Sequence, residues 1–134
     1  MKDQHALTRS PAEDPLRPSL ILVEDDDSVR RALQLLLSGR GYQVRSFASA
    51  ASALADPVAL DAAYLVADFM LSESDGVALL RGLRALGWKG RAILVTAFPS
   101  DAVRRAAEAV GYAAVMEKPL RQQALLAALD PASS

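Results

Sequence analysis

The sequence predicts a single α/β domain with three layers, in which helices cover both faces of a five-stranded parallel sheet. From Ser19 onward, short apolar runs alternate with segments whose apolar residues recur at helical spacing, a pattern typical of βαβ units. The first of these runs is continuously apolar, as expected of a strand that is buried on both faces. A chain of 134 residues with 51% hydrophobic residues can form one packed core.

The first strand is predicted at about Leu20–Val23, where four apolar residues follow one another. Asp26 or Asp27 is expected to cap the helix that follows, because an aspartate side chain accepts hydrogen bonds from the first helical turn. That helix extends to about Ser38, where nearby glycines end it. The acidic run Glu24–Asp27 is therefore expected to lie in a strand-to-helix loop.

The next elements are shorter. The pattern predicts a second strand at Val44–Phe47, a short helix at Ala50–Ala55 that stops before Pro57, and a third strand at Ala62–Ala67. Asp68 is then the first polar residue past that strand.

A loop over Phe69–Ser74 leads to Asp75, which is expected to cap the third helix. Four residues of this helix are predicted to share its apolar face before Gly87: Val77, Leu80, Leu83 and Leu86. Trp88 follows and is interpreted as a packing residue in a turn.

The last two strands are predicted at Ala92–Val95, closed by Thr96, and at Ala113–Met116. Between them a helix opens near Ser100 and ends at Val110, before Gly111. The final helix is indicated by its apolar residues Leu120, Leu125, Leu126 and Leu129.

Composition excludes several classes of protein. A formal net charge of −1 and a pI near 5.8 provide no basic surface for nucleic acid, so this chain alone is not expected to bind DNA. The absence of Cys excludes disulfides and thiolate metal sites. No apolar stretch approaches the roughly 18 residues of a membrane helix. We therefore expect a cytoplasmic chain without a membrane partner.

The domain is expected to span residues 19–130. Residues 1–18 are predicted to form a disordered leader, because prolines among charged and small residues bury too little surface to repay ordering. Residues 131–134 are expected to be a short tail.

Polar side chains follow four of the predicted strands. They are an acidic pair, Glu24 and Asp25, a lone carboxylate, Asp68, a hydroxyl, Thr96, and an ammonium, Lys118. The carboxyl ends of parallel strands meet at one edge of the sheet, which is where open α/β sheets bind ligands. The set is typical of a magnesium-dependent phosphoryl acceptor.

Each group has a chemical task in such a site. Asp68 can take up a phosphoryl group as an acyl phosphate, which needs mainly positioning and charge neutralisation. Glu24 and Asp25 are candidate Mg²⁺ ligands, and Lys118 would add a second positive charge. The alternative for Glu24 and Asp25 is simple solvation beside the helix N-terminus.

Four motifs occur in order along the chain: Leu22-Val23-Glu24-Asp25-Asp26, Asp68 followed by Leu71 and Asp75-Gly76, Val95-Thr96-Ala97, and Glu117-Lys118-Pro119. With this order and spacing the chain resembles the receiver domain of bacterial two-component response regulators over about Ser19 to Leu129. The resemblance implies a flavodoxin-like fold, with a five-stranded parallel sheet in the order 2-1-3-4-5.

The resemblance also implies roles. Asp68 would accept a phosphoryl group from a histidine kinase or a histidine phosphotransfer protein, and Thr96 and Lys118 would contact it. Mg²⁺ would be held by Glu24, Asp25, Asp68 and the main-chain carbonyl of Met70. The only histidine, His5, lies in the leader, so the chain is expected to be the receiving side.

A family member of this kind is not an enzyme acting on other molecules, because it catalyses only its own phosphorylation and dephosphorylation. Phosphorylation is expected to switch a surface that binds an unknown downstream protein, and the chain could form a homodimer.

Several positions depart from the family pattern. Ser72 stands where proline is usual, which predicts a more mobile acceptor loop. Val115 replaces the Tyr or Phe that usually changes rotamer with the threonine, and Tyr112 is interpreted as a packing or surface residue rather than a substitute. Met70 and Phe98 are apolar where polar groups often assist an attacking water, which predicts a long-lived phosphoryl group.

Two other functions remain open at this point. Asp25-Asp26-Asp27 contains the spaced carboxylates of aspartyl-nucleophile phosphohydrolases, although no segment could build the cap that turnover requires. A receiver-like binding module that works without phosphorylation is the other alternative, favoured by Ser72 and Val115.

Overall fold

A computed structural model of the protein, which describes residues 17–130, contains one five-stranded parallel sheet. Its strands are β1 (Ser19–Val23), β2 (Gln43–Phe47), β3 (Tyr64–Asp68), β4 (Arg91–Thr96) and β5 (Ala114–Glu117). The strand order is β2-β1-β3-β4-β5, and every neighbouring pair is parallel. The predicted sheet and its order are confirmed.

An α-helix follows each strand. The helices are α1 (Asp27–Gly39), α2 (Ala50–Ala55), α3 (Gly76–Ala85), α4 (Asp101–Val110) and α5 (Gln122–Leu129). A 3₁₀-helix, Pro57–Asp61, extends the connection between α2 and β3. No helix in the described range of residues 17–130 is long and apolar enough to span a membrane.

Alternate residues of the strands divide the core into two clusters, because successive side chains of a strand point to opposite faces. Ile21, Leu65 and Leu94 belong to the cluster that contains buried residues of α2, α3 and α4. The opposite cluster contains Leu22 and Val66 together with buried residues of α1 and α5. Helices therefore cover both faces, which gives the three layers.

Four helices begin with a side-chain cap at the carboxyl edge of the sheet. Asp26, Ser49, Asp75 and Ser100 each accept a hydrogen bond from a backbone N–H in the first turn of the helix that follows. Such caps satisfy N–H groups that have no partner within the helix. They fix where each helix starts relative to the strand before it, and so position the loops that lie between.

The structure differs from the sequence prediction in the segment after α2. The third strand starts at Tyr64 rather than Ala62, because Ala62 caps the C-terminus of the 3₁₀-helix and its amide donates to the carbonyl of Ala59. Asp68 is the last residue of this strand rather than the first beyond it. The predicted loop after Asp68 contains a two-stranded antiparallel hairpin, in which Met70–Leu71 pairs with Ser74–Asp75. Two residues per strand are too few to show a recognisable sequence pattern.

The predicted apolar face of α3 is wrong at one end. Leu86 is exposed because the helix ends at Ala85, whereas Leu79 is buried because α3 packs against neighbours on more than one side. Trp88 is confirmed as a packing residue, and its indole Nε1 donates a 2.7 Å hydrogen bond to the carbonyl of Ala62.

The proposed leader lies mostly outside the described residues, as does the proposed tail at 131–134. The last two leader residues are hydrogen-bonded to the domain. The backbone N–H of Gln43 donates a 2.9 Å hydrogen bond to the carbonyl of Pro18, and the guanidinium of Arg17 donates to the carbonyl of Tyr42 at 3.0 Å. The domain boundaries remain a prediction.

Candidate functional site

The carboxyl edge of the sheet brings the predicted polar residues together. Glu24 follows β1 directly, Asp68 and Thr96 end β3 and β4, and Lys118 follows β5. Main-chain hydrogen bonds continue the strand pairing into these positions, since the N–H of Lys118 donates to the carbonyl of Thr96 at 2.8 Å. Residues that lie up to 94 positions apart in the sequence therefore share one cleft.

Three carboxylates form an acidic cluster in this cleft. Each of Glu24, Asp25 and Asp68 offers an oxygen, and these oxygens lie within 4.8 Å of one another. The side chains of Glu24 and Asp68 are only 3% and 10% exposed, whereas Asp25 faces the solvent. Like charges this close repel one another, so the cluster favours a neutralising cation.

Lys118 bridges two of the carboxylates. Its Nζ donates 2.9 Å hydrogen bonds to Oε1 of Glu24 and to Oδ2 of Asp68. The Lys118 side chain is 24% exposed, and its ammonium contacts only one oxygen of each carboxylate. Three carboxylates and one ammonium leave the cleft with an excess of negative charge when all of them are ionised.

The pKa values of Glu24 and Lys118 are both shifted. Burial raises the pKa of the Glu24 carboxyl above its ordinary value, although hydrogen bonds from Lys118 and from the amide of Asp26 act to lower it. Burial by itself would lower the pKa of the Lys118 ammonium, but its hydrogen bonds to Asp68 and Glu24 outweigh that effect and raise it. Lys118 is therefore a cation at neutral pH.

Two hydroxyl groups border the cleft. Thr96 is buried, and its Oγ1 accepts a 3.1 Å hydrogen bond from the amide of Phe98, which leaves the hydroxyl proton to be donated elsewhere. Ser72, in the turn of the hairpin, donates a 3.1 Å hydrogen bond to Oδ2 of Asp25. The Ser72 hydroxyl links the hairpin after β3 to the loop after β1, a contact that a proline could not make.

The packing of α3 on β3 explains why the sequence has a glycine directly after Asp75. A Cβ at this position would lie 2.7 Å from the carbonyl oxygen of Asp68 and 2.5 Å from a methyl carbon of Leu94. Glycine is needed because the first turn of α3 approaches the backbone of Asp68 so closely. The amide of Gly76 also donates a 2.8 Å hydrogen bond to the carbonyl of Phe69.

Two large apolar side chains stand exposed on the loops beside the cleft. Met70 is 60% exposed and Phe98 is 74% exposed. They lie two residues beyond Asp68 and Thr96 respectively, and neither can orient a water by hydrogen bonding.

Sequence reasoning missed two side chains that hold main-chain atoms near the site. Arg30 of α1 donates a 2.8 Å hydrogen bond to the carbonyl of Glu24, although helical spacing turns it away from the core. Tyr112 is buried, and its hydroxyl donates a 2.6 Å hydrogen bond to the carbonyl of Gly76. Neither contact has a local sequence signal, because each joins a long side chain to a main-chain atom of another element.

The donor set fits Mg²⁺. This ion prefers oxygen ligands, usually one or two protein carboxylates completed by phosphate oxygens and water. Glu24, Asp25 and Asp68 supply carboxylate oxygens within 4.8 Å of one another, and the exposure of Asp25 leaves access for water and other oxygen ligands. The residues present thus agree with the cofactor that the sequence suggested.

Comparison with known proteins identifies the family. The family model for the response regulator receiver domain matches residues 20–130. The transcriptional regulatory protein FixJ of Azorhizobium caulinodans is 33% identical over 108 residues, which are 81% of this chain and 51% of that protein. The C4-dicarboxylate transport transcriptional regulatory protein DctD of Rhizobium meliloti is 42% identical over 79 residues, which are 59% of this chain and 17% of that protein.

The fold agrees with solved structures. The chemotaxis protein CheY4 of Vibrio cholerae superposes with a TM-score of 0.80 at 21% identity, covering 86% of this chain and 98% of that one. The chain spans about half of FixJ and less than a fifth of DctD, so it corresponds to one part of each of these regulators. The chain belongs to the response regulator receiver domain family, the family of two-component signalling.

Proposed function

We propose that this receiver domain accepts a phosphoryl group on Asp68 with the help of Mg²⁺ and thereby changes a surface that binds a partner protein. The observation that carries the proposal is the convergence of Glu24, Asp25, Asp68 and Lys118 in one cleft at the carboxyl edge of the sheet. Asp68 is nearly buried, yet Lys118 holds only one of its oxygens. The carboxylate is therefore oriented and keeps an oxygen for reaction.

The reaction is a phosphoryl transfer to a carboxylate. An oxygen of Asp68 bonds to phosphorus as the bond from phosphorus to the imidazole nitrogen of a phosphohistidine breaks, and the imidazole leaves. A bound Mg²⁺ would neutralise charge on the phosphoryl oxygens. Glu24, Asp25, Asp68 and the main-chain carbonyl of Met70 are the groups we assign to hold it.

Lys118 would contact the phosphoryl group after transfer. Its ammonium lies 2.9 Å from Oδ2 of Asp68, and its flexible side chain allows it to turn toward a phosphoryl oxygen. This contact would offset the negative charge that the new group brings into a cleft where Glu24 is already buried. Lys118 therefore acts both before and after transfer.

Thr96 would respond to the phosphoryl group by changing its hydrogen bonds. Its hydroxyl proton can be donated to a phosphoryl oxygen, and its Oγ1 now accepts from the amide of Phe98. A rotation of Thr96 toward the phosphoryl group would break that hydrogen bond and release the start of the loop before α4. Val115 cannot take part by the usual aromatic rotamer change, so the response must involve other residues.

Membership of the receiver domain family supports the proposed partners. A histidine kinase or a histidine phosphotransfer protein would supply the phosphoryl group, and an unidentified protein would receive the signal. In this scheme the chain catalyses only its own phosphorylation and dephosphorylation. A cytoplasmic location and a homodimer are further predictions.

The proposal is tested with acetyl phosphate and intact mass spectrometry. The parent protein in Mg²⁺ should gain the mass of one phosphoryl group, and Asp68→Asn should gain none. Asp61→Asn is a matched control, because Asp61 lies at the end of the 3₁₀-helix before β3 and should leave the gain unchanged. A parent protein that gains no mass would instead support the phosphorylation-independent module.

A further inference from the structure

Tyr112 is a buried polar side chain that the acidic cleft does not use. It lies between α4 and β5, and its ring belongs to the core cluster that contains α3 and α4. Its hydroxyl donates a buried 2.6 Å hydrogen bond to the carbonyl of Gly76, 36 residues earlier in the chain. Desolvation raises the pKa of Tyr112 well above its usual range, so the hydroxyl keeps its proton at neutral pH.

Gly76 is in direct contact with the phosphoacceptor. The amide of Gly76 donates to the carbonyl of Phe69 at 2.8 Å, and its Cα packs so closely on the carbonyl of Asp68 that no Cβ would fit. A displacement of the backbone at Asp68 or Phe69 must therefore move the first residue of α3 as well.

The other side of Tyr112 is attached to α4. The amide of Tyr112 donates a 3.0 Å hydrogen bond to the carbonyl of Ala107 in the last turn of that helix. Gly111, in the left-handed conformation with φ of 108°, makes this helix ending possible. Tyr112 thus contacts α4 through its backbone and α3 through its side chain.

Helix α4 depends on such contacts at its ends. Ala107 is its only fully buried residue, and all of its other residues are exposed or half-buried. A helix that buries so little apolar surface is held weakly by its own packing. Arg84 adds a second contact to the same end, from its guanidinium to the carbonyl of Gly111, but that contact is longer, at 3.4 Å, and exposed.

We propose that Tyr112 is a positioning residue that couples the phosphoacceptor loop to helix α4 through its hydrogen bond to the carbonyl of Gly76. The two states of this coupling are the hydroxyl bonded to Gly76 and the hydroxyl released from it. The proposal rests on the proposed function, since phosphorylation of Asp68 is the event that would shift the balance between these states. It gives the domain a route to α4 that does not need an aromatic residue at position 115.

The test compares amide hydrogen exchange in α4 before and after phosphorylation with acetyl phosphate and Mg²⁺. The variants Tyr112→Phe and Tyr112→Leu both remove the hydroxyl and keep an apolar side chain in its place. Tyr42→Phe is the matched control, because Tyr42 is also a buried tyrosine but lies in the core cluster on the opposite face of the sheet. Urea unfolding shows that each variant is folded, and intact mass shows how much of it is phosphorylated.

Phosphorylation should change the exchange rate of α4 amides by about 5-fold in the parent and in Tyr42→Phe, the factor that corresponds to one neutral hydrogen bond. The change should fall below about 2-fold in both Tyr112 variants, less than half of that hydrogen-bond factor, while their mass gain stays that of the parent. An equal α4 response in Tyr112→Phe and the parent would overturn the coupling.

A fully phosphorylated parent without any α4 response would overturn it too and would leave the proposed function standing. A parent that gains no mass would refute the proposed function and the coupling with it. The two failures are therefore distinguished by the mass measurement alone.

Discussion

Replacing Lys118 with methionine should destabilise the domain when no divalent ion is present. The ammonium makes two 2.9 Å hydrogen bonds to carboxylates that are almost buried, and its removal leaves them facing each other. Removing one partner of a fully buried ion pair costs about 3–5 kcal/mol. Because Lys118 is partly exposed, solvent screens the contact, and we expect a loss of about 2 kcal/mol.

Urea unfolding at pH 7 in EDTA measures this loss, with the fluorescence of the buried Trp88 as the signal. Lys89→Met is the matched control, because Lys89 is exposed at the opposite end of the sheet and its removal should change stability by less than about 0.5 kcal/mol. A free energy of unfolding for Lys118→Met that equals or exceeds the parent value would refute the view that the ammonium offsets part of the negative charge of the cluster.

Three further predictions concern the surroundings of the cleft. The phosphoryl group should be lost slowly from the phosphorylated protein. Met70→Asn or Phe98→Asn should shorten the half-life of the phosphorylated form by about 10-fold, because the amide side chain can orient an attacking water. Intact mass over time measures the loss, and unchanged half-lives in both variants would contradict the prediction. Gly76→Ala should lower the free energy of unfolding by roughly 1–3 kcal/mol, because the new Cβ meets the backbone of the third strand. Urea unfolding measures this change, and a parent-like free energy of unfolding would show that the close approach is relieved without cost. The free energy of unfolding of the parent should fall above about pH 10, because tyrosines ionise there in the unfolded chain but the buried Tyr112 does not ionise in the folded one. Between pH 9 and pH 11, urea unfolding should show a smaller fall for Tyr112→Phe than for the parent. An equal fall in both proteins would exclude this tyrosine as the cause.

Much of the fold could be predicted because each strand and helix carries its own local signal. The continuous apolar run Leu20–Val23 indicated a strand covered on both faces, and Asp75 and Ser100 marked the helix starts that the structure contains. The convergence of Glu24, Asp68 and Lys118 followed from the parallel sheet itself, since such a sheet brings the carboxyl ends of its strands to one edge. Local pattern and topology were sufficient for these features.

The remaining features depend on side chains that reach main-chain or carboxylate atoms far away in the sequence. The hydroxyl of Ser72 bonds to Asp25, and the hydroxyl of Tyr112 bonds to Gly76. Neither pair is adjacent in the sequence, and neither donor lies at a position with a recognisable period. The position of Ser72 suggested a looser loop, but its contact with Asp25 follows only once the hairpin and the loop after β1 are known in space.

We propose that the carboxylate of Asp68 is the group that receives the phosphoryl group, in a cleft that holds a cation. Treatment of acetyl-phosphate-labelled protein with borohydride, which reduces an acyl phosphate to an alcohol, followed by peptide sequencing by mass spectrometry, identifies the acceptor directly. We predict homoserine at position 68 in Mg²⁺ and none in EDTA. Homoserine at Asp25 or another aspartate, or equal labelling at position 68 in EDTA, would contradict the account.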